Sequence, residues 1–332
     1  MFTASDVSVV IPSYNSRKTI QPCLESLMTQ ESAPLELIVV DSSTDDTPDI
    51  IRQYFPKVRL IHLEDRTFPG PARNRGAECA RGVILAFVDS DCIAAPDWVQ
   101  RIADCHAQGH LVVGGAIEVG NPHSYLAWAG HLGEFREFLP IGEARHIIHV
   151  PSCNLSYRKA LFEERGGFPV AYYPQEDLLF NYLLSREGIR VWFDPAIRVR
   201  HFCREGWYDY LAHQHRIGRV TRCMLSRIEL SGAVIARRPV VAWLASPFLG
   251  VAKFLRTASV LLTHLPHEAA RRPLLFPLLF LGSMWWSRGF AAGAYTGLSG
   301  IRGWGDPHEP IFDRIVLAGS TVVPVNNGNH HS

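Results

Sequence analysis

Short runs of apolar, often β-branched residues alternate with segments of helical character over the first 119 residues. The runs that predict strands cover residues 7–12, 35–40, 58–63, 84–88 and 110–119. Between them, apolar residues recur at helical spacing or a cluster of Ser, Thr, Asp or Pro opens the segment, and both features predict helices. Strands that alternate with helices predict an α/β fold with a mostly parallel central sheet flanked by helices.

Polar side chains follow the carboxyl ends of these strands or the loops beyond them. They are Tyr14, Asn15, Asp41, Arg73, Asn74, Asp89 and Asp91. Because such ends meet at one edge of a parallel sheet, we expect these groups to share one cleft. An aromatic ring can face a base, an arginine can bind phosphate, and two carboxylates can bind a divalent cation. The pattern predicts a site for a nucleoside diphosphate and a metal ion.

The motif from Asp89 to Asp91 is open to other interpretations. The simplest is a loop in which one aspartate caps the next helix. Aspartyl phosphatases also carry Asp-x-Asp after a strand, but on their first strand, whereas this motif begins at residue 89. A nucleotidyltransferase usually has a glycine-rich, basic loop after its first strand, and the segment PSYNSRKT (12–19) has no glycine. We keep both enzymes as alternatives.

Composition narrows the class of protein. The chain has 332 residues, 47% hydrophobic and 20% charged, which is typical of a globular protein. The formal net charge is +1, so no basic field points to a nucleic acid partner. Seven scattered cysteines without a Cys-x-x-Cys pair argue against a disulfide framework and favour a reducing compartment. Residues 1–12 enter a strand directly, and we expect no secretory signal.

Four segments, in this order, resemble the family 2 glycosyltransferases, which have the GT-A fold. They are SVVIPSYN (8–15), ELIVVDSSTDDT (36–47), GPARNRGAECARGVILAFVDSDC (70–92), and the stretch from SCNLSYRKALFEERGGF to DPAIRVRH (152–201). The resemblance implies a Rossmann-like half that binds a nucleotide-sugar (1–119) and an acceptor half (120–230). It further implies an inverting, hexosyltransferase-type enzyme that transfers a sugar from a nucleotide-diphosphate sugar to an acceptor hydroxyl and uses Mn²⁺ or Mg²⁺.

The resemblance assigns a nucleoside pocket to the first two strands. Pro12, Tyr14 and Asn15 would line it, and Asp41 would hold the base. An acid at that position is compatible with uracil, so we expect a UDP-sugar as the donor. The family's usual Asn-Gly or Asp-Gly after the second strand is replaced here by Ser42 and Ser43.

The same resemblance places the phosphates and the ribose. Arg73 and Asn74 would border the pyrophosphate, and Asp89 would face the ribose with Ser90 beside it. Asp91 would bind the metal ion through the diphosphate.

Two further residues are candidates for the metal site. Asp89 could be a second carboxylate ligand. His201 ends an apolar strand, and in many relatives a histidine here completes the metal shell or contacts the diphosphate. The alternative for His201 is a buried, hydrogen-bonded histidine.

Glu176 and Asp177 open a segment whose apolar positions recur at helical spacing. They could be acids that only favour the positive N-terminus of that helix. In the family the second acid is the general base, so Asp177 would accept the proton of the attacking hydroxyl while Glu176 supports the acceptor. A binding module without catalysis would not need this pair. Pro169 and Val170 replace acids that are common after GGF in the family.

The composition changes after about residue 230, where apolar stretches cover residues 239–265 and 273–287. We expect residues 231–300 to form membrane-surface or re-entrant helices, followed by a tail (301–332). Arginines at positions 237, 238, 271 and 272 suit anionic headgroups. These helices would hold the enzyme on the cytoplasmic face of the cell membrane, near a glycan or lipid-linked acceptor. The alternative is a buried helical subdomain.

Overall fold

The computed structural model describes residues 2–170 and 172–296. Its strands are β1 (Val7–Ser13), β2 (Glu36–Asp41), β3 (Arg59–His62), β4 (Ile84–Val88), β5 (Cys92–Ala94), β6 (Val112–Val119), β7 (Arg145–Ile147), β8 (Asn154–Arg158) and β9 (Val191–His201). Its helices are α1 (Ile20–Met28), α2 (Thr47–Tyr54), α3 (Pro69–Cys79), α4 (Trp98–Ala107), α5 (Tyr125–Phe135), α6 (Lys159–Glu164), α7 (Glu176–Arg186), α8 (Trp207–Leu225), α9 (Ala233–Ala236), α10 (Pro239–His264), α11 (Pro266–Arg271) and α12 (Leu275–Thr296).

One sheet holds the strands of the described residues together, in the order β3-β2-β1-β4-β8-β6-β9-β5, with β7 paired to β9. The first four strands in this order are parallel. Every side chain of β1 and β4 is buried, because helices cover both faces of a parallel sheet. The predicted α/β fold is confirmed, and the five predicted strands are β1, β2, β3, β4 and β6.

The sheet also contains antiparallel strands that the alternation of strands and helices did not predict. β8 lies between β4 and β6 and runs antiparallel to both. Asn154, which begins β8, pairs with Val88, which ends β4. The residues just before β8 therefore lie beside the aspartates that follow β4.

The short strand β5 follows Asp91 at once and pairs antiparallel with β9. In this register Cys92 lies opposite His201. The pairing brings the end of β9 to the Asp89–Asp91 motif, although about 110 residues separate them along the chain.

The C-terminal helices pack onto α5 and α8. α12 crosses α8 closely, because a Cβ atom on Gly218 would lie 2.0 Å from the carbonyl oxygen of Trp286. Buried residues of α12, including Leu275 and Leu279, share an apolar cluster with α5. The described helices after residue 230 therefore pack on α5 and α8, and the predicted tail (301–332) lies outside the described residues.

One side of α10 faces outward and is apolar. Its exposed side chains include Val240, Trp243, Leu244, Phe248 and Leu255. By length and composition alone, α10 could cross a membrane, with a mean hydropathy of 1.2 and 22% of its most apolar window buried.

Two cations of α10, Lys253 and Arg256, reach residues at the end of α5, although the side chain of Arg256 is 70% exposed. Lys253 donates a hydrogen bond to the carbonyl oxygen of Gly133, and Arg256 pairs with Glu137 at 3.3 Å. Lys253 therefore marks the side of α10 that packs on α5, and the opposite side is apolar and exposed.

Candidate active site

A cleft of about 1330 Å³ opens at the carboxyl ends of β1 and β4. Eight of the predicted site residues line it, namely Pro12, Tyr14, Asn15, Arg73, Asp89, Ser90, Asp91 and His201, together with the predicted acids Glu176 and Asp177. Asp41 and Asn74 are not part of its wall. The fold therefore brings most of the predicted residues to one place.

The loop after β1 is held by the loop after β2. The backbone N–H of Asn15 donates to Ser43 Oγ at 2.7 Å, and Asn15 Oδ1 accepts from the backbone N–H of Thr44 at 2.9 Å. Asn15 has a φ of 53°, a left-handed conformation that asparagine tolerates better than most residues. Tyr14 is thereby presented to the cleft, with the Arg66 guanidinium 4.4 Å from the centre of its ring.

Asp41 is fully buried beneath this loop. Its carboxylate accepts from Ser43 Oγ at 2.6 Å and lies 2.9 Å from His62 Nδ1. As placed, it reaches the cleft only through Ser43 and Asn15. The contact of Asp41 with a base stays a prediction.

Arg73 joins the two acidic parts of the site. Its guanidinium, only 3% exposed, donates to Asp89 Oδ1 and, at 3.2 Å, to Glu176 Oε1. Burial alone would lower the pKa of Arg73, but the charges of Asp89 and Glu176 raise it, so the arginine is always cationic. Asp89 is thus engaged by Arg73, which limits its part as a second metal ligand.

Asn74, the next residue, points away from the cleft. Its amide bonds both the carbonyl oxygen and the N–H of Phe168, at 2.7 and 2.9 Å. Asn74 fastens the Gly-Gly-Phe loop to α3, and its predicted contact with the pyrophosphate stays a prediction.

Asp91 and His201 form the candidate metal centre. His201 Nε2 lies 3.5 Å from Asp91 Oδ1, and their ligand atoms and Cys92 Sγ all lie within 4.8 Å of one another. Burial raises the pKa of Cys92, so its thiol stays protonated and is a poor ligand. Ser90, between the aspartates, bonds Ser16 Oγ at 2.8 Å and fixes the turn.

The charges at this centre favour a cation. Burial raises the pKa of Asp91 while His201 opposes it, and burial would lower the pKa of His201 were it not outweighed by Asp91. His201 therefore carries a positive charge at the place where a metal ion would supply one. One carboxylate and one imidazole fit Mn²⁺ or Mg²⁺ if diphosphate oxygens complete the shell.

Asp177 is held at the start of α7, where it also lines the cleft. Its Oδ2 accepts hydrogen bonds from both the N–H and the hydroxyl of Ser152, each at 2.8 Å. Ser152 lies two residues before β8, so the pairing of β8 with β4 brings Ser152, and with it Asp177, near the Asp89–Asp91 motif. Glu176, beside it, is buried, and its Oε2 has no hydrogen-bond partner among the described residues.

Several residues of the site were missed in the sequence. They are Ser152, His149, Arg66, Glu134, His213 and Lys253. No local pattern marks them, since they come from loops and helices that only the tertiary fold brings to the cleft. Ser152 alone had a signal, because it opens one of the segments that carry the family resemblance.

His106 and His110, four residues apart, have the spacing of a solvated helix face or of a metal-binding pair. The structure shows that His106 is instead fully buried, with Nδ1 2.8 Å from the carbonyl oxygen of His110 and Nε2 3.0 Å from Ser156 Oγ. It joins α4 to β8.

A mostly parallel sheet whose strand ends bring an acidic motif, a histidine and a second acidic pair into one cleft fits a nucleotide-dependent transferase. The model of the family described as glycosyl transferase family 2 matches residues 8–166. The chain belongs to this family, and it is a glycosyltransferase that uses nucleotide-sugar donors. The phosphatase and nucleotidyltransferase alternatives are thereby excluded.

Individual relatives agree with this assignment. The glycosyltransferase AglE of Haloferax volcanii is 29% identical over 68% of this chain and 76% of its own length. The uncharacterized glycosyltransferase YibD of Escherichia coli is 42% identical over 67% of this chain and 66% of its own length. The mannosyltransferase PcManGT of Pyrobaculum calidifontis, solved with GDP-Man and Mn²⁺, has the same fold. Its TM-score is 0.55 at 20% identity, over 88% of this chain and 87% of that chain.

Proposed function

We propose that the chain transfers the sugar of a nucleotide-diphosphate sugar, with a UDP-sugar as the first candidate, to a hydroxyl of a glycan acceptor in one inverting step. The observation that carries the proposal is that the Asp91–His201 pair and Asp177 line the same cleft, with Arg73 bonded to both Asp89 and Glu176 between them. The Asp91–His201 pair suits a metal-bound diphosphate, and Asp177 suits the acceptor.

The donor half of the proposal rests on the groups around Asp89. Tyr14 offers an aromatic face for the base, and Asp89 offers an oxygen for the ribose hydroxyls. Asp91 and His201 would hold Mn²⁺ or Mg²⁺, which offsets the charge that grows on the leaving diphosphate. The mannosyltransferase from Pyrobaculum calidifontis was solved with a nucleotide-sugar and Mn²⁺ on the same fold.

The chemical step rests on Asp177. Its carboxylate takes the proton of the acceptor hydroxyl while the hydroxyl oxygen forms a bond to the anomeric carbon. The bond from that carbon to the diphosphate oxygen breaks with its electron pair left on the nucleotide. Because attack and departure occur on opposite faces, the anomeric configuration inverts.

Two variants test this division of roles. Asp91→Asn should weaken Mn²⁺-dependent UDP binding by roughly 10- to 100-fold, since it removes the charged ligand. Asp177→Asn should keep UDP binding and lower transfer by about 10²–10⁴-fold. Calorimetry with UDP and GDP, with and without Mn²⁺, measures the first, and NMR of the product anomer measures inversion. Native transfer by Asp177→Asn, or a product with retained configuration, would contradict the mechanism.

We also infer that the enzyme works on the cytoplasmic face of a membrane. The outward side of α10 is apolar and exposed, while Arg237, Arg238 and Arg271 are exposed near its ends. Apolar side chains of this kind enter the boundary between headgroups and acyl chains, and arginines attract anionic headgroups. An enzyme held in this way meets acceptors that the membrane presents, such as a lipid-linked glycan.

A further inference from the structure

The cleft extends from the catalytic groups along the C-terminal helices. On α8 its wall includes His213, Ile217, Thr221 and Leu225, which recur every four residues and so share one face of the helix. Twelve residues of α-helix rise about 18 Å, so the cleft follows α8 for that distance.

The far part of the cleft has an apolar lining. Leu225, Ile235, Leu249 and Trp286 are half-buried, pack against the small core around Phe290, and line the cleft. We call the part of the cleft lined by these five residues the apolar arm. Helices α8, α9, α10 and α12 contribute these residues, so the apolar arm exists only because the C-terminal helices pack on α8.

Two cations lie where the apolar arm meets the catalytic groups. Arg216 Nη2 donates to His213 Nδ1 at 3.2 Å, and His213 Nε2 lies 2.9 Å from Glu134. Since arginine only donates, His213 must accept at Nδ1 and donate to Glu134, and it is therefore neutral. Lys253 donates to the carbonyl oxygen of Gly133. Neither cation has a carboxylate partner within the part of the chain that the structure describes.

We propose that the apolar arm binds the hydrocarbon chain of a lipid phosphate or diphosphate that carries the acceptor sugar. The phosphate lies at Arg216 and Lys253, and the sugar hydroxyl lies at Asp177. This inference rests on the proposed function and names its acceptor class.

Chemistry distinguishes this occupant from a polysaccharide chain. A glycan in the apolar arm would lose water from its hydroxyls without gaining partners, whereas a hydrocarbon chain gains from burial. Arg216 and Lys253, which have no carboxylate partner among the described residues, match an anionic group at the head of such a chain. Burial lowers the pKa of Lys253 to about 7, and an anion beside it would favour its charged form. Leu249 in the arm is the neighbour of Phe248, which is 76% exposed on the outward side of α10. The arm therefore adjoins the surface that would contact the membrane.

Geranyl phosphate, held below its micelle concentration, is a direct probe of the apolar arm. We expect the full-length protein to bind it more tightly than geraniol, by about tenfold, because only the phosphate meets Arg216. Ile235→Glu should weaken geranyl phosphate binding at least about tenfold, since it buries a charge in the arm. The matched control is Val234→Glu, at the adjacent residue, which is 68% exposed and outside the cleft wall.

Leu249→Trp is the second variant, because it fills the apolar arm without adding a charge. UDP binding with Mn²⁺ is measured on every variant and shows that the donor site is folded. Equal affinity of wild type, Ile235→Glu and Leu249→Trp for geranyl phosphate, with UDP binding intact, would overturn the assignment of the arm and leave the proposed function standing. Failure of the wild-type protein to bind any nucleoside diphosphate would instead overturn the proposed function.

Discussion

At the scale of single residues, the position of the proposed general base, Asp177, depends on Ser152. The backbone N–H and the hydroxyl of Ser152 both donate hydrogen bonds to Asp177 Oδ2. Ser152→Ala should lower turnover by about tenfold through misorientation of that carboxylate. The affinity for UDP should not change, because Ser152 does not touch the donor groups. Measurement of kcat and of the UDP dissociation constant checks both statements.

The matched control for this prediction is Ser185→Ala. Ser185 is also on α7 and bonds only the carbonyl oxygen of Tyr182, one turn earlier. It should leave both quantities within about twofold. Equal loss of turnover in the two variants would show that Ser152 merely supports α7.

Glu176 gives the site a pH dependence of its own. Burial, and then the charge of Asp177, raise the pKa of Glu176 to about 8, although Arg73 opposes them. The group is therefore mostly protonated at pH 7 and ionises as the pH rises through 8. The new charge draws Arg73 away from Asp89, so we expect the transfer rate to fall between about pH 7 and 9. Glu176→Gln should abolish this part of the pH–rate profile while UDP binding persists.

The same residues show how far a sequence can locate a site. Asp89, Asp91 and Asp177 were placed correctly at the cleft because strand ends and a helix start are visible in the sequence. Asp41 and Asn74 were expected there too; they are not in the cleft wall and bond Ser43 and Phe168, so their contacts with a nucleotide stay predictions. A polar residue at a strand end can either face a ligand or fasten a loop, and the choice depends on partners far along the chain.

At the scale of secondary structure elements, α10 should decide membrane binding. Phe248→Glu places a charge at the most exposed large apolar residue of its outward side. Binding to vesicles that contain anionic lipid should fall by about tenfold, because a charged side chain cannot enter the acyl boundary. Vesicle sedimentation of the purified protein measures this. Tyr54→Glu, at the end of α2 and 59% exposed, is the matched control and should bind like the wild type.

The crossing of α8 and α12 is a second test at this scale. A Cβ atom on Gly218 would lie 2.0 Å from a backbone oxygen of α12. Gly218→Ala should therefore separate the helices and destabilise the protein by about 1–3 kcal/mol, although alanine favours a helix. The control is Gly130→Ala in α5, where the nearest neighbouring atom is at 3.8 Å and the helix should gain stability. Urea unfolding compares them.

Elements were predictable to the extent that they were long and periodic. The parallel strands were visible as apolar runs bounded by polar residues. β5 and β7 have three residues each and no run to show. The direction of β8 had no signal at all, because an apolar strand looks the same in a parallel or an antiparallel pair. Yet this direction places Ser152 beside the Asp89–Asp91 motif.

At the scale of the whole molecule, buried histidines limit stability in acid. Burial lowers the pKa of His106 and of His131 to about 3. Their contribution is fully present above the unfolded value of 6.5 and is lost as the pH falls from 6.5 toward 3. Each of the two histidines should lower the free energy of unfolding at pH 5 by about 2 kcal/mol relative to its value at neutral pH. Urea unfolding at pH 7 and pH 5 measures the loss.

A variant isolates one of these histidines. His106→Gln keeps a polar group for Ser156 but cannot be charged, so its stability should depend less on pH between 6.5 and 5. His123→Gln, at a histidine whose side chain is 77% exposed, should follow the wild type. An unchanged slope in His106→Gln would show that other groups carry the acid sensitivity.

The guanidinium of Arg73 bonds Asp89, among the proposed donor groups, and Glu176, beside the proposed general base. A nucleotide that hydrogen-bonds Asp89 changes how strongly the Arg73 guanidinium pairs with Glu176. An acceptor that hydrogen-bonds Glu176 likewise changes how strongly Arg73 pairs with Asp89. Linkage then requires reciprocity: if one substrate alters the affinity of the other by some factor, the second alters that of the first by the same factor. The two substrates are therefore expected to change each other's affinity through a single buried side chain.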